Sequence, residues 1–323
     1  MRQLGFLVFA ICVVCAPAGA QEAGKAPRTS FGAPDLNGTW STLTATPLER
    51  PPAFDGPTTT EDKEAAFVVA STKAFLADAS DGIGGRDSEW WELSKDMTRI
   101  NGQIRTSLIV DPPSGKMPYS DAGRAKLRML QASVLADFNG PEARPSTERC
   151  LAGGSGATGA PLFVPRYNAN YQIVQTRDYL VISMEQNREV RIVRLNGAPH
   201  LPESMRRWMG DSVGWWDGDT LVVETINFVP GDAFKPASPL LVSHNARVTE
   251  RFTRLSAGEI LYAYTVEDPE TFTQTWRAEM ILTAVDHQII EYACHEGNYA
   301  MSGMLAGGRA KEAAISAAPR SKP

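Results

Sequence analysis

Residues 292–299 (YACHEGNY) hold four polar side chains whose types could support chemistry. The imidazole of His295, with an ordinary pKa of about 6.5, could act as a general acid or base, with Glu296 orienting or charging it. Asn298 and Tyr299 could donate hydrogen bonds to a substrate oxygen that gains negative charge. A structural alternative stays open, in which His295 bonds to the backbone and Glu296 caps a turn. The segment is a candidate site whose reaction its residues do not specify.

The sequence carries no motif for a metal or a cofactor. A zinc-protease helix needs His-Glu-x-x-His, and Tyr299 stands where the second histidine would be. His200 and His244 have no ligand spacing to His295. The Gly-rich residues 151–159 lack the Lys-Ser/Thr pair of a phosphate loop. We therefore predict neither a metal nor a cofactor.

A second polar segment, residues 165–171 (PRYNANY), repeats the Asn and Tyr chemistry of the first. Amides and phenols of both segments could ring one mouth of a barrel and orient a polar ligand there. The ligand-binding residues predicted in this segment are Tyr167, Asn168 and Asn170. The alternative is a hydrogen-bonded plug that satisfies the backbone of loops.

Aromatic and basic side chains add further ligand-binding candidates. Trp215 and Trp216 could line an apolar cavity, although tryptophans on strands also serve as core. Arg206 lies in a predicted short helix over residues 202–209. It could bind a carboxylate together with His200, and an exposed loop is the alternative.

The first 20 residues have the pattern of a cleaved secretory leader. Arg2 supplies a positive charge, residues 4–14 are apolar, and Ala18-Gly-Ala20 fits cleavage after Ala20. The apolar run is shorter than the roughly 20 residues of a membrane span. We therefore expect a periplasmic or secreted protein without membrane insertion.

Cleavage would remove two of the four cysteines and leave Cys150 and Cys294. An oxidising compartment favours a disulfide between them, and two separate buried thiols are the alternative. The disulfide would hold the segment that follows Cys150 against residues 292–299.

The charge balance excludes some partners. The full chain has a net charge of −5, and removal of Arg2 leaves 31 basic and 37 acidic residues, a net charge of −6. Lys and Arg form no cluster in the sequence. Nucleic acid and anionic membranes both need a concentrated positive face. The expected partner is a small-molecule ligand or substrate.

The elements that must position these residues are mostly strands. After a flexible arm over 21–34, the sequence predicts one domain over 35–306, helices at about 60–79 and 120–138, and a flexible tail over 307–323. Short β-rich runs then recur with tight turns between them, at 171–176, 179–184, 190–195, 220–228, 248–255, 260–266, 276–282 and 288–293. This pattern predicts a mainly β fold, an antiparallel meander closing into a barrel.

Four motifs carry a resemblance to a known family. They are RTSLIVDPP at 105–113, GPEARPSTERC at 140–150, GDTLVVE at 218–224 and YACHEGNY at 292–299. The chain resembles a widespread family of secreted bacterial proteins of unknown function over most of residues 35–307. The resemblance implies an exported β-rich fold and no catalytic assignment.

The start of the domain, Gly38-Thr-Trp40, is also similar to the first strand of lipocalin-like barrels, whose tryptophan closes one barrel end. The sequence thus favours an exported protein that binds or carries a small, partly apolar molecule in an internal barrel cavity. One alternative is a cofactor-independent lyase, isomerase or hydrolase that uses His295 and Glu296. Another is a structural envelope protein in which all these residues are packing.

Overall fold

The computed structural model describes residues 26–79, 92–136, 138–144, 148–151, 159–165, 167–229 and 242–317. The predicted leader lies outside these residues. Within them the chain forms three α-helices, α1 (Glu61–Ala79), α2 (Asp121–Ala136) and α3 (Ala300–Ala317). It also forms thirteen strands: β1 (Gly38–Ser41), β2 (Thr58–Thr59), β3 (Arg99–Ile100), β4 (Gln103–Arg105), β5 (Ile109–Asp111), β6 (Asn170–Gln175), β7 (Tyr179–Met184), β8 (Val190–Arg194), β9 (Asp211–Asp217), β10 (Thr220–Ile226), β11 (Arg247–Arg254), β12 (Glu259–Glu267) and β13 (Trp276–Val285).

Nine of these strands close into a barrel. Strands β6 to β13 pair in chain order, and β1 closes the ring by pairing with both β6 and β13. Strand β5 also pairs with β13, at Arg277 and Ala278. Strands β2, β3 and β4 form a separate small sheet. The predicted mainly β class and closed barrel are therefore confirmed.

One strand pair departs from the antiparallel meander. Val193 of β8 lies opposite Ser212 of β9 in a parallel pairing. Parallel neighbours need a connection that returns the chain to the end where the first strand began. Residues 195–210 make this return, so the chain runs back along the barrel here.

Alternation along the strands fills the barrel interior. Successive side chains of a strand point to opposite faces, so paired residues share a face. Leu221, Phe252, Tyr262 and Met280 lie in one register row across β10 to β13, and all four are buried. Trp40 is also buried, its indole N–H donates to the carbonyl of Leu36, and the guanidinium of Arg254 lies 4.3 Å from its ring centroid.

Helix α1 packs on a second, smaller apolar cluster. Its core is Phe54, Met97 and Ile104, and Phe67 and Val68 of the helix lie against it. The rings of Phe54 and Phe67 are 4.9 Å apart. The helix is thus held beside the barrel by its apolar side, at the position predicted from the sequence.

Helix α2 begins at a cap that also joins it to the barrel. The Ser120 hydroxyl accepts a hydrogen bond from the Gly123 N–H at 3.0 Å, and it donates to the carbonyl of Thr271 at 3.1 Å. The N–H of Ser120 donates to the same carbonyl. Gly123 packs so closely here that a Cβ would lie 2.2 Å from the Thr271 oxygen.

Three segments differ from the sequence expectations. Helix α3 extends to Ala317, where a tail was expected from residue 307, because its alanine-rich sequence favours helix. Residues 288–293 form no strand, since β13 already pairs with β1 and closes the ring. Residues 202–209 form turns instead of a helix, because the backbone of Arg207 bonds to Asn227 and Val229 beyond β10.

We expect Gly123→Ala to lower the free energy of unfolding by about 1–3 kcal/mol, because the added methyl overlaps a backbone oxygen. Gly303→Ala is the matched control, since nothing lies within 4 Å of its Cβ position on helix α3. This control should be neutral or stabilising by up to about 1 kcal/mol. Urea denaturation of both variants measures the difference, and equal stabilities would contradict the α2 contact.

Candidate functional site

The predicted catalytic residues lie on an exposed turn. The side chains of His295, Glu296, Asn298 and Tyr299 are all exposed, Tyr299 to 81%. Asn298 caps helix α3, because its side-chain oxygen accepts the Ala300 N–H at 3.0 Å. The structure gives these residues a turn and a helix cap, and their acid–base role stays a prediction.

The predicted disulfide between Cys150 and Cys294 is present. It brings the two polar segments together in part, because the rings of Tyr167 and Tyr292 stack with centroids 6.4 Å apart. Burial, and then the neighbouring Tyr167, raise the pKa of the Tyr292 phenol above its usual range. Asn168 lies in the left-handed region with φ of 51°.

Asn170 lies apart from this pair of tyrosines. It is buried, and its amide donates to the carboxylate of Glu185 at 2.8 Å. The backbone N–H of Ile290 donates to the other oxygen of the same carboxylate at 2.9 Å. Asn170 therefore helps to fix the chain after β13, and it does not ring a mouth with Tyr299.

The other predicted ligand-binding residues do not converge on one site. Trp215 faces outward and is 47% exposed, whereas Trp216 points inward and packs on the barrel core. Arg206 donates to the backbone carbonyls of His244 and Phe228 at 2.8 and 3.3 Å. The guanidinium of Arg206 thus holds loops together.

The barrel interior contains a buried ion pair. Arg191 and Glu250 have side chains that are 2% and 0% exposed, and two hydrogen bonds join them. The Tyr262 hydroxyl donates to the same carboxylate at 2.7 Å. Burial disfavours the charge of Arg191, but Glu250 outweighs this effect and raises the pKa of the guanidinium.

Residues 159–165 cover one mouth of the barrel and reach its interior. The Leu162 N–H donates to the Tyr262 hydroxyl at 2.8 Å, and the Tyr171 hydroxyl donates to the Phe163 carbonyl at 3.1 Å. Leu162 and Phe163 are both buried. Leu162 and Phe163 are thus fixed to the aromatic side chains of the barrel core.

A pocket of about 360 Å³ lies beside this mouth, between helix α1 and the segments that flank β1 and β6. We call it the mouth pocket. Its walls are residues 43–48, 92–94 and 163–165 with Leu108, and a face of α1 formed by Phe67, Val68, Ser71, Thr72 and Phe75. The helical residues recur at intervals of three to four, so they share one face.

The mouth pocket joins the barrel core to the helix. Leu108 and Phe163 belong to the barrel core and also line the pocket, so one wall is rigid. The lining is mostly apolar, with hydroxyls from serine and threonine and one carboxyl, that of Glu92. Burial and then Glu185 raise the pKa of Glu92, and His287 opposes them. None of the residues predicted as sites lines this pocket.

A second polar network was not predicted from the sequence. His200 lies between two carboxylates, with Nδ1 2.9 Å from Asp211 and Nε2 3.1 Å from Glu224. Both ring nitrogens of His200 therefore lie within hydrogen-bond distance of a carboxylate. Arg194 also contacts Asp211, and Arg247 contacts Glu224. The network ties the crossing connection 195–210 to the β9–β10 hairpin.

The described residues contain no group of three or more His, Cys, Asp or Glu side chains placed to hold a metal ion. In the same part of the chain, no helix has both the length and the apolar character needed to cross a membrane.

We expect Asp211→Asn to flatten the loss of stability in acid. Burial tends to raise the pKa of Asp211, but the Leu201 N–H, His200 and Arg194 outweigh it and hold the pKa below its ordinary value of 3.8. The ionised carboxylate therefore stabilises the fold above that value, and this contribution disappears as the pH falls through the lower folded pKa. At neutral pH the variant should lose about 1.5–3 kcal/mol.

Urea unfolding at several pH values between about 7 and 3 measures this effect. Asp217→Asn is the control, because Asp217 lies on the same strand with a side chain that is 62% exposed. Its stability profile should follow that of the wild type. Identical profiles for wild type and Asp211→Asn would refute the assigned role.

Comparison with known proteins gave no match to a family model, to a curated protein or to a solved structure. The family resemblance carried by the four sequence motifs therefore stays a prediction.

Proposed function

We propose that this protein binds a small, partly apolar molecule in the mouth pocket. The observation that carries the proposal is the pocket itself, about 360 Å³ in volume and lined mostly by apolar side chains. Pockets for small molecules commonly have volumes of roughly 300–1,000 Å³ and apolar walls with a few polar groups. The mouth pocket has this size and this composition.

The construction of the pocket supports binding in a preformed site. Phe163 and Leu108 are fixed by the barrel core, and the opposite wall is a regular helix. A ligand therefore meets two ordered walls and loses little affinity to their rearrangement. Apolar contacts with Phe67 and Phe75 would supply affinity, and the hydroxyls of Ser71 and Thr72 would orient a polar group.

The proposal differs from an internal cavity in where the ligand sits. The interior is packed by an aromatic series, with 4.9 Å between the rings of Phe252 and Tyr262 and 5.5 Å between those of Tyr262 and Tyr264. The mouth pocket is reached without moving these side chains. It therefore needs no opening of the barrel.

We expect Ser71→Trp to weaken binding of an uncharged fluorescent naphthylamine dye by at least about tenfold, a loss of about 1.4 kcal/mol. The indole would occupy the pocket from its helical wall. Val69→Trp is the matched control, because Val69 lies on the same helix, is 68% exposed and does not line the pocket. Fluorescence titration gives the dissociation constants.

Thermal unfolding with the dye provides a second readout. A ligand at 100 times its dissociation constant stabilises the folded state by about 2.7 kcal/mol. The shift should persist in Val69→Trp and disappear in Ser71→Trp. Equal binding by both variants would place the ligand elsewhere and refute the proposal.

We also propose that the chain is exported. The leader-like residues 1–20 support this, and so does the disulfide, which is compatible with an oxidising compartment. Mass spectrometry of the protein from the cells that produce it should show a chain that begins at Gln21. A mature chain that still carries residues 1–20 would contradict export by this route.

A further inference from the structure

We propose that the ligand of the mouth pocket is a neutral or cationic amphiphile whose polar group lies against Glu92, and that anionic ligands are excluded. This inference rests on the proposed function and adds the charge class of the ligand. It follows from the ionisable groups around the pocket, from the partners of these groups and from the solvation of a bound charge.

The charges of the lining residues have one sign. Among the described residues that form the walls, Glu92 is the one ionisable side chain, and no Lys, Arg or His is present. A carboxylate or phosphate ligand would find no cationic partner in these walls.

Glu92 differs from nearby carboxylates in having no partner among the described residues. Glu64 accepts the Met97 N–H at 2.7 Å and pairs with Arg99 at 2.6 Å. Glu185 accepts hydrogen bonds from Asn170 and from the backbone of Ile290. No hydrogen bond or ion pair from the described chain reaches Glu92, and its carboxylate is open to a ligand.

The surroundings of Glu92 strengthen its preference for a positive partner. Glu185 lies close enough to raise the pKa of Glu92, and it is itself buried. His287 offsets part of this effect. The side chain of Glu92 lines the pocket but stays exposed to solvent, so a cation or a hydrogen-bond donor beside it gains the modest energy of a partly exposed contact. A ligand with a positive charge or a hydrogen-bond donor would therefore supply the partner that Glu92 lacks among the described residues.

An anionic ligand would be disfavoured for two reasons. Its charge would leave water for a mostly apolar pocket without a compensating partner. It would also approach Glu92, with which it has like charge. A neutral ligand avoids both effects and can donate a hydrogen bond, and an ammonium adds Coulomb attraction to that bond.

Three naphthalene derivatives of nearly equal size test the inference: 1-naphthylmethylamine, 1-naphthalenemethanol and 1-naphthoate. Their affinities are measured at about pH 8, well above the ordinary range of a carboxyl pKa. We expect the amine to bind about 2–5-fold more tightly than the alcohol, the range of a partly exposed ion pair. The acid should bind at least about tenfold more weakly than the amine.

Two variants of Glu92 test the assignment. Glu92→Gln should remove the advantage of the amine over the alcohol, and Glu92→Lys should make the acid the tightest of the three ligands. Glu61→Gln is the matched control, since Glu61 lies at the exposed start of α1, outside the pocket, and its loss changes the net charge equally. It should retain the wild-type order.

The outcomes separate this inference from the proposed function. If the alcohol binds and the acid binds equally well, the charge class is refuted and the pocket remains a binding site. The same holds if the order of the three ligands survives in Glu92→Gln. If none of the three ligands binds and Ser71→Trp leaves dye binding unchanged, the proposed function is refuted, and this inference falls with it.

Discussion

The pairing of Arg191 with Glu250 is the constraint on which the barrel depends. Two full charges inside a protein are tolerated only when each has partners, because their removal from water is costly. The two residues come from β8 and β11, and they meet only if the strands between them curve into a closed wall. Tyr262 then joins the carboxylate and receives the N–H of Leu162, so the same pair also anchors the segment that covers the mouth.

Buried aromatic side chains inside the barrel influence where a ligand can bind. With Tyr262 and Phe163 occupying the centre and the mouth, the barrel acts as a rigid wall, and the concave surface arises where helix α1 approaches it. The barrel fixes the position of helix α1, and the mouth pocket between them can hold a small molecule.

Much of the fold was predictable because its signals are local. Alternating apolar residues such as those at 260–266 predict strands directly, Asn101-Gly102 marks the β3–β4 turn, and two remaining cysteines permit a single pairing.

The candidate site was not predictable in this way. Its walls come from five separate parts of the chain, and Glu92 and Phe163 carry no motif that links them. His200 likewise contacts Asp211 and Glu224 only because residues 195–210 connect two parallel strands, and no sequence pattern predicts this connection. Helix α3 was missed because short alanine-rich ends resemble tails.

The closing strand β1 also sets the order in which the molecule can be made. Thr39 pairs with Val285, so the two sides of the seam are separated by most of the chain. A ribosome releases β1 long before β13, and the barrel stays an open sheet with unpaired edges until the last strand has emerged. Such contacts between distant residues make folding slow and leave strand edges available to other chains. An incompletely synthesised chain therefore exposes strand edges that can pair with other chains. The barrel becomes stable only when synthesis is nearly complete.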